Sequence, residues 1–292
     1  MRNWKVILLV TTIFAGCRKP YSPAAIIATN NYLVVEGVIN SGSDSTIIKL
    51  SRTVKLSSKI TITPVLHAAV AVESDQNTIF PLAETTNGNY ISAGLNLDST
   101  RKYRLNIKIA NKQYLSDFVA VLNSPPIDSV SFTAQNNVLN IYSNTHDPKN
   151  STQYYRWDYQ ETWMFRSNYF SGYKSNGDTV LLRDQVNDEI YTCWKSDTAS
   201  TITIASTAHL VKDVIVNNPV TSVASTSEKL GIKYSILVRQ YALSGDAYTF
   251  WENLKKNTEQ LGGIFDAQPS TINGNIHSVS NPSEPVIGVL AS

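Results

Sequence analysis

Tyr103-Arg-Leu-Asn-Ile-Lys-Ile109 decides the fold class. Tyr103, Leu105, Ile107 and Ile109 alternate with Arg104, Asn106 and Lys108, and only an extended strand puts every second residue on one face. The run reads as a strand with one face in a core and one in water. Similar segments flank it. Tyr32 to Ile39, Thr46 to Thr53, Val65 to Glu73, Ile79 to Leu82, Tyr90 to Ser92 and Tyr114 to Val121 are rich in β-branched and aromatic residues. A Ser-Gly-Ser-Asp-Ser turn at 41–45 and an Asn87-Gly88 turn separate some of them. About seven short strands at this spacing predict a small β-sandwich over 32–121.

Asn123-Ser-Pro-Pro-Ile-Asp128 reads as a linker over 122–128, because two prolines cannot donate to a ladder. From 129 to 292 the pattern predicts a second β-rich domain. Its strands are expected at 130–132, 138–142, 154–166, 179–182, 189–194, 201–206, 213–216 and 229–241. One amphipathic helix is expected at 244–261. Ser244 caps it, Leu243 and Tyr248 staple it, and Ala247, Phe250, Trp251 and Leu254 form its apolar stripe. Leu261 extends that stripe and Gly262-Gly263 ends the helix. The run Glu284 to Leu290 reads as a strand with an open edge.

The first residues do not belong to this fold. Arg2 and Lys5 precede an apolar run from Val6 to Phe14, shorter than the roughly 20 residues a membrane helix needs. This is the pattern of a signal peptide over 1–16. Phe14-Ala-Gly-Cys17 resembles a bacterial lipobox, in which the Cys thiol takes a diacylglycerol and cleavage falls just before it. Cys17 is therefore the expected lipidation site, and the membrane the expected partner of the N-terminal lipid. Residues 17–31, with Pro20 and Pro23, read as a tether. Removing Arg2 and Lys5 brings the formal charge from +2 to about 0. That balance argues against nucleic acid, which demands a basic footprint.

Nine of the twenty residues from Tyr154 to Tyr173 are aromatic. On a strand, Tyr155, Trp157, Tyr159, Trp163 and Phe165 share one face with Glu161. The face reads either as a stacking platform or as the inside of a sandwich, and the inside is favoured. A buried Glu161 would need a Tyr hydroxyl or an Arg beside it. Tyr169, Phe170 and Tyr173 sit among Ser, Asn, Gly and Lys in a loop, where exposed rings mark ligand-binding candidates. His67, His146, His209 and His277 are each isolated, so no metal site is expected. No phosphate loop, nucleophile elbow or dinucleotide fingerprint occurs, so neither a cofactor nor catalytic residues are expected.

Several stretches carry a family resemblance. They include Tyr32 to Ile39, Leu50-Ser-Arg-Thr53, Tyr155-Arg-Trp157, Glu161-Thr-Trp163, Cys193-Trp194, Lys233 to Ser244 and Phe250-Trp251-Glu252. Leu261 to Asp266, Gln268-Pro-Ser270, Gly274-Asn-Ile-His277 and Glu284-Pro-Val-Ile-Gly288 complete the set. Together they resemble the DUF4249 family, uncharacterised lipoproteins of Bacteroidetes. The resemblance implies a cell-envelope protein, lipid-anchored to the outer membrane, encoded beside a TonB-dependent receptor and accessory to it. It implies no enzymatic activity. The first domain also resembles the transthyretin-like sandwich attached to such receptors, an Ig-like two-sheet arrangement. Members of the family continue past Gly288 with a Cys-containing tail. That implies a C-terminally truncated chain here, and a missing disulfide partner for Cys193. Arg18-Lys19-Pro20 is not acidic, which leaves the periplasmic and surface faces of the membrane both open. Beside the accessory role stands an alternative, capture of a glycan or peptide by the aromatic loop.

Overall fold

Antiparallel pairing of neighbouring strands builds most of the molecule, but one sheet draws on both ends of the chain. The computed structural model describes residues 31–54, 58–59, 62–259, 272 and 274–291. The first strands are β1 (Leu33–Val38), β2 (Thr46–Arg52), β3 (Thr63–Pro64), β4 (Ala69–Ser74) and β5 (Ile79–Glu84). Next come β6 (Asn89–Ser92), β7 (Lys102–Ile109), β8 (Lys112–Ser116), β9 (Val119–Ala120), β10 (Ile127–Gln135) and β11 (Val138–His146). The aromatic strand β12 (Tyr154–Arg166) leads to β13 (Tyr173–Ser175), β14 (Val180–Leu182), β15 (Thr192–Thr198), β16 (Thr203–Ser206) and β17 (Val214–Ala224). Strand β18 (Lys233–Ala242) precedes helix α1 (Gly245–Glu259), and β19 (Ile276–Ser278) and β20 (Val286–Ile287) follow. The protein is therefore mostly β, with one α-helix among the described residues. The signal peptide, Cys17, the tether up to Asn30, and the expected helix stop at Leu261 to Gly263 lie outside the described residues.

Eleven strands form the first sheet, in the order β19-β8-β7-β4-β5-β6-β2-β1-β20, with β3 on β2 and β9 on β7. It wraps a core that contains Leu33, Ile48, Leu50, Val72, Leu105 and Ile107. On β7 the apolar face is as expected, with Tyr103, Leu105 and Ile107 buried and Lys108 on the other face exposed, but Asn106 on that other face is buried too, bonded to Glu73. Each such side chain stabilises the fold by about 1.5–3 kcal/mol on burial. Three buried tyrosines turn their hydroxyls to partners, as buried rings with a polar tip must. Tyr90 donates to Val65 O at 2.9 Å, Tyr103 to Asp98 O at 3.3 Å and Tyr114 to Glu284 Oε1 at 2.9 Å.

The sheet nearly closes into a barrel, because its two end strands meet. Strand β20 runs parallel to β1, with Leu33 opposite Val286, and β19 pairs antiparallel with β8. Asn275 joins the ends: its side chain accepts from Leu290 N at 2.8 Å and donates to Leu290 O at 3.1 Å. The approach requires glycine. A Cβ on Gly274 would fall 1.6 Å from Gly288 O, and one on Gly288, at φ +150°, would fall 2.4 Å from Val35 O. The run 284–290, expected as an open edge of the second domain, is instead taken into this seam.

The remaining strands make a three-stranded sheet, β10-β11-β17, and a four-stranded sheet in which β12 pairs with β15, β16 and β18. On β12, Tyr155, Trp157, Tyr159, Glu161 and Trp163 are buried. The aromatic face is thus an interior face rather than an open platform. Ile215 of β17 packs on Tyr155 and Trp157, and Thr221 donates to Tyr159 Oη at 3.1 Å. Helix α1 starts where the cap was expected, with Ser244 Oγ accepting from Ala247 N at 3.2 Å. Its residues Ala247, Tyr248 and Trp251 pack with Leu243, Tyr154, Val38, Val289 and Ala291. No helix among the described residues is long and apolar enough to cross a membrane.

Candidate functional site

Two surface features stand out from the packed core. The first is the chain from Ser167 to Tyr191. Ser167 N donates to Tyr191 O at 2.9 Å and closes its base. Beyond it, β13 and β14 pair with each other and, among the described residues, with no other strand, Tyr173 opposite Leu182 and Ser175 opposite Val180. Asn176 Oδ1 accepts from Asp178 N and Thr179 N to shape the tip. Lys174 and Asp188 pair within the arm, and Arg183 donates to Asp188 O at 3.1 Å. Polar groups thus hold the arm together from inside while its apolar groups face water. Tyr169 is 87% exposed, Phe170 62% and Tyr173 63%. Val186, Leu182 and Val180 join them at 86%, 76% and 71%. The three rings were legible as exposed candidates. The three aliphatic residues were not, because Thr179 to Leu182 reads as an ordinary strand and Val186 lies in no apolar pattern. Tyr173 lies in β13 rather than in a loop.

The second feature is a cavity of about 320 Å³ on the other face of β12. Arg156 and Asp158 of β12, Arg239 of β18, Trp251 of α1 and the 198–202 connection between β15 and β16 line it. Register explains the grouping, since Asp158 pairs with Arg239 and Arg156 with Tyr241 across the β12–β18 ladder. The Arg156 guanidinium lies over the rings of Trp251 (4.2 Å) and Tyr241 (5.3 Å), where cation–π attraction fixes it. Burial disfavours its charged form, and the charge of Asp158 opposes that effect. Burial, together with Asp158, pushes the Tyr241 phenol up to about 12. Ala199 N donates to Tyr159 O and Ile202 N to Glu259 Oε1, which pins the connection at both ends. No motif pointed to this cavity, because its residues come from four separate segments.

The other candidates are internal to the fold. Glu161 is 3% exposed and has the Tyr hydroxyl that its burial requires, Tyr234 donating to Oε2 at 2.8 Å. Its cation is Lys229 rather than an Arg, bonded to Oε1. That bond holds the Lys229 ammonium above the usual lysine range. Asp213 accepts from Tyr155 Oη at 2.6 Å and from Thr207 Oγ1 at 2.8 Å. Asp147, held by Ser151 and by the N–H groups of Lys149, Ser151 and Thr152, stays well below the usual carboxylate range. His146 bonds Asp128 at 2.8 Å, which raises its ring above the ordinary histidine value. Cys193 is a free, half-buried thiol. No group of three or more His, Cys, Asp or Glu side chains suited to a metal ion occurs among the described residues.

Fold and surface together define a β-rich protein with two binding-type features, an apolar arm and an arginine-lined cavity. A family model described as a domain of unknown function, DUF4249, matches residues 18–292, and the chain belongs to that family. A comparison with curated proteins finds no match.

Proposed function

We propose that the chain is a non-enzymatic lipoprotein of the cell envelope, anchored to the outer membrane through Cys17 and docked through its 167–191 arm on a protein partner. The expected partner is a TonB-dependent outer-membrane receptor. One observation carries the docking half: Tyr169, Phe170, Leu182 and Val186 are exposed together on an arm braced from inside by the Lys174–Asp188 pair. An apolar surface of that kind is costly to leave in water and marks a contact site. The anchoring half rests on the apolar leader ending at Phe14-Ala-Gly-Cys17, and residues 1–17 lie outside the family match. Two or three acyl chains, at about 0.8 kcal/mol per buried CH₂, hold such a protein at a bilayer. The Bacteroidetes origin and the transthyretin-like, Ig-like character of the first sheet belong to the same proposal. Capture of a glycan or peptide by Tyr169, Phe170 and Tyr173 is less well supported, because none of these rings lines the cavity.

A photo-crosslinking residue at Tyr169 in native cells tests the docking. The expected product joins the chain to an outer-membrane receptor and is lost with Val180→Asp and Leu182→Asp. Cross-linking that these variants leave unchanged refutes the arm as the contact. Mass spectrometry that finds an unmodified Cys17 thiol refutes the anchor.

A further inference from the structure

The cavity beside helix α1 holds unused hydrogen-bond donors. Arg156 is mostly buried, yet among the described residues its guanidinium makes no hydrogen bond. Its ion-pair partner Asp158 stays at 3.6 Å. Arg239 stands at the same distance from Asp158 and gives one hydrogen bond, to Gln160 Oε1 at 3.2 Å. Asp158 Oδ1 is buried and accepts no hydrogen bond from the described residues. So Asp158 neutralises one positive charge without occupying either guanidinium. The Arg156 donors are open to the cavity rather than sealed from it, and N–H groups on a partly desolvated arginine suit an acceptor placed there.

The shape of that acceptor follows from the lining. Two planar guanidinium forks match a carboxylate, which accepts in pairs. The two arginines face Asp158 inside the cavity, and the Glu259 carboxylate, on Ile202 N–H, keeps its negative charge at the rim. Repulsion from these two carboxylates is smaller for a monoanion than for a phosphate dianion, so a monoanion is the better fit to the guanidinium forks. The 198–202 connection adds the hydroxyls of Thr198, Ser200 and Thr201 to the lining, none hydrogen-bonded within the described residues. They suit a ligand that also carries hydroxyls. A volume of about 320 Å³ exceeds what acetate fills and lies at the small end of ligand pockets, about 300–1,000 Å³.

We infer that this cavity binds a small sugar acid, one carboxylate on a polyhydroxylated body. The carboxylate sits on the Arg156 and Arg239 N–H groups and the hydroxyls meet Thr198, Ser200 and Thr201. The site is independent of the arm, and nothing in the docking reading depends on it.

Saturation-transfer NMR and calorimetry on the full chain in detergent, with D-glucuronate, D-glucose and acetate as probes, test the inference. D-glucuronate binds in the millimolar range or tighter, and glucose and acetate bind at least about tenfold more weakly. Arg239→Gln, at a partly exposed position, weakens glucuronate about tenfold or more, and Thr201→Val weakens it severalfold. Raising the salt concentration weakens it further. The two variants separate a binding loss from a folding loss, since Thr201 lies in an exposed connection. Absence of glucuronate binding by the native chain at about 10 mM overturns the site. So does glucose or acetate binding as tight as glucuronate, or glucuronate affinity unchanged by both variants.

Discussion

Replacing Tyr155 by Phe removes a single oxygen from the buried N-terminal end of β12. That oxygen donates to Asp213 Oδ2 at 2.6 Å, between a ring with no exposed surface and a carboxylate that is 4% exposed. Hydrogen bonds to charged groups contribute about 1.5–3 kcal/mol, and water does not reach this one to replace it. Thr207 remains on Oδ1 and Asn150 still bonds Asp213 N, so the carboxylate is weakened rather than abandoned. We expect a loss of about 2–3 kcal/mol, read in urea as a lower midpoint at unchanged slope. Burial and the Asp213 charge hold the Tyr155 phenol above the usual tyrosine range, so it remains a donor at any working pH. Asp213→Asn should cost less in the Tyr155→Phe background than in the native chain, with a coupling of at least about 1 kcal/mol. A loss under about 0.5 kcal/mol in a variant with native spectra would refute the reasoning, since that is the scale of surface substitutions.

Lys229→Met should destabilise by about 3 kcal/mol or more, because it leaves Glu161 buried without its cation, and adding Glu161→Gln should recover most of that loss in urea unfolding. Since Glu161 raises the Lys229 pKa, the pair's contribution is complete below the free lysine value of about 10.4 and is lost as pH rises through the folded value. Asp128 raises the His146 pKa, so that pair favours folding fully below about pH 6.5 and fades as pH climbs through the folded value. An NMR titration of His146 should show a midpoint above the ordinary one, returning towards it in Asp128→Asn; a midpoint that does not move breaks the assignment.

How much of this was legible depended on the range of the interactions. The 103–109 alternation marked a half-buried strand because period two is a local property, and β7 follows it except at the buried Asn106. Strand β12 was likewise legible, and Glu161 among its rings pointed to a buried network. Ser244 and Leu243 announced the start of α1. Strand β15 was expected at 189–194 but lies at 192–198, where Lys195-Ser-Asp-Thr198 has no apolar period and pairing with β12 decides the strand. The seam was illegible for a related reason. Gly274, Asn275 and Gly288 are signals of close approach only once their partner segment is known. The arginine cavity needed the β12–β18 register, which no pattern within either strand contains.

The meeting of β1 with β20 also bears on when the molecule can fold. Leu33 finds its neighbour Val286 only after nearly all of the chain is available. Loop closure over such a span adds only about 0.6 kcal/mol per doubling of length, so the finished state loses little. The rate is another matter, because distant pairings must be found before they give anything back. A polypeptide emerging from its N-terminus therefore carries an incomplete β1 edge until β20 has been made. Its topology works as a clock, holding the seam open until that strand arrives.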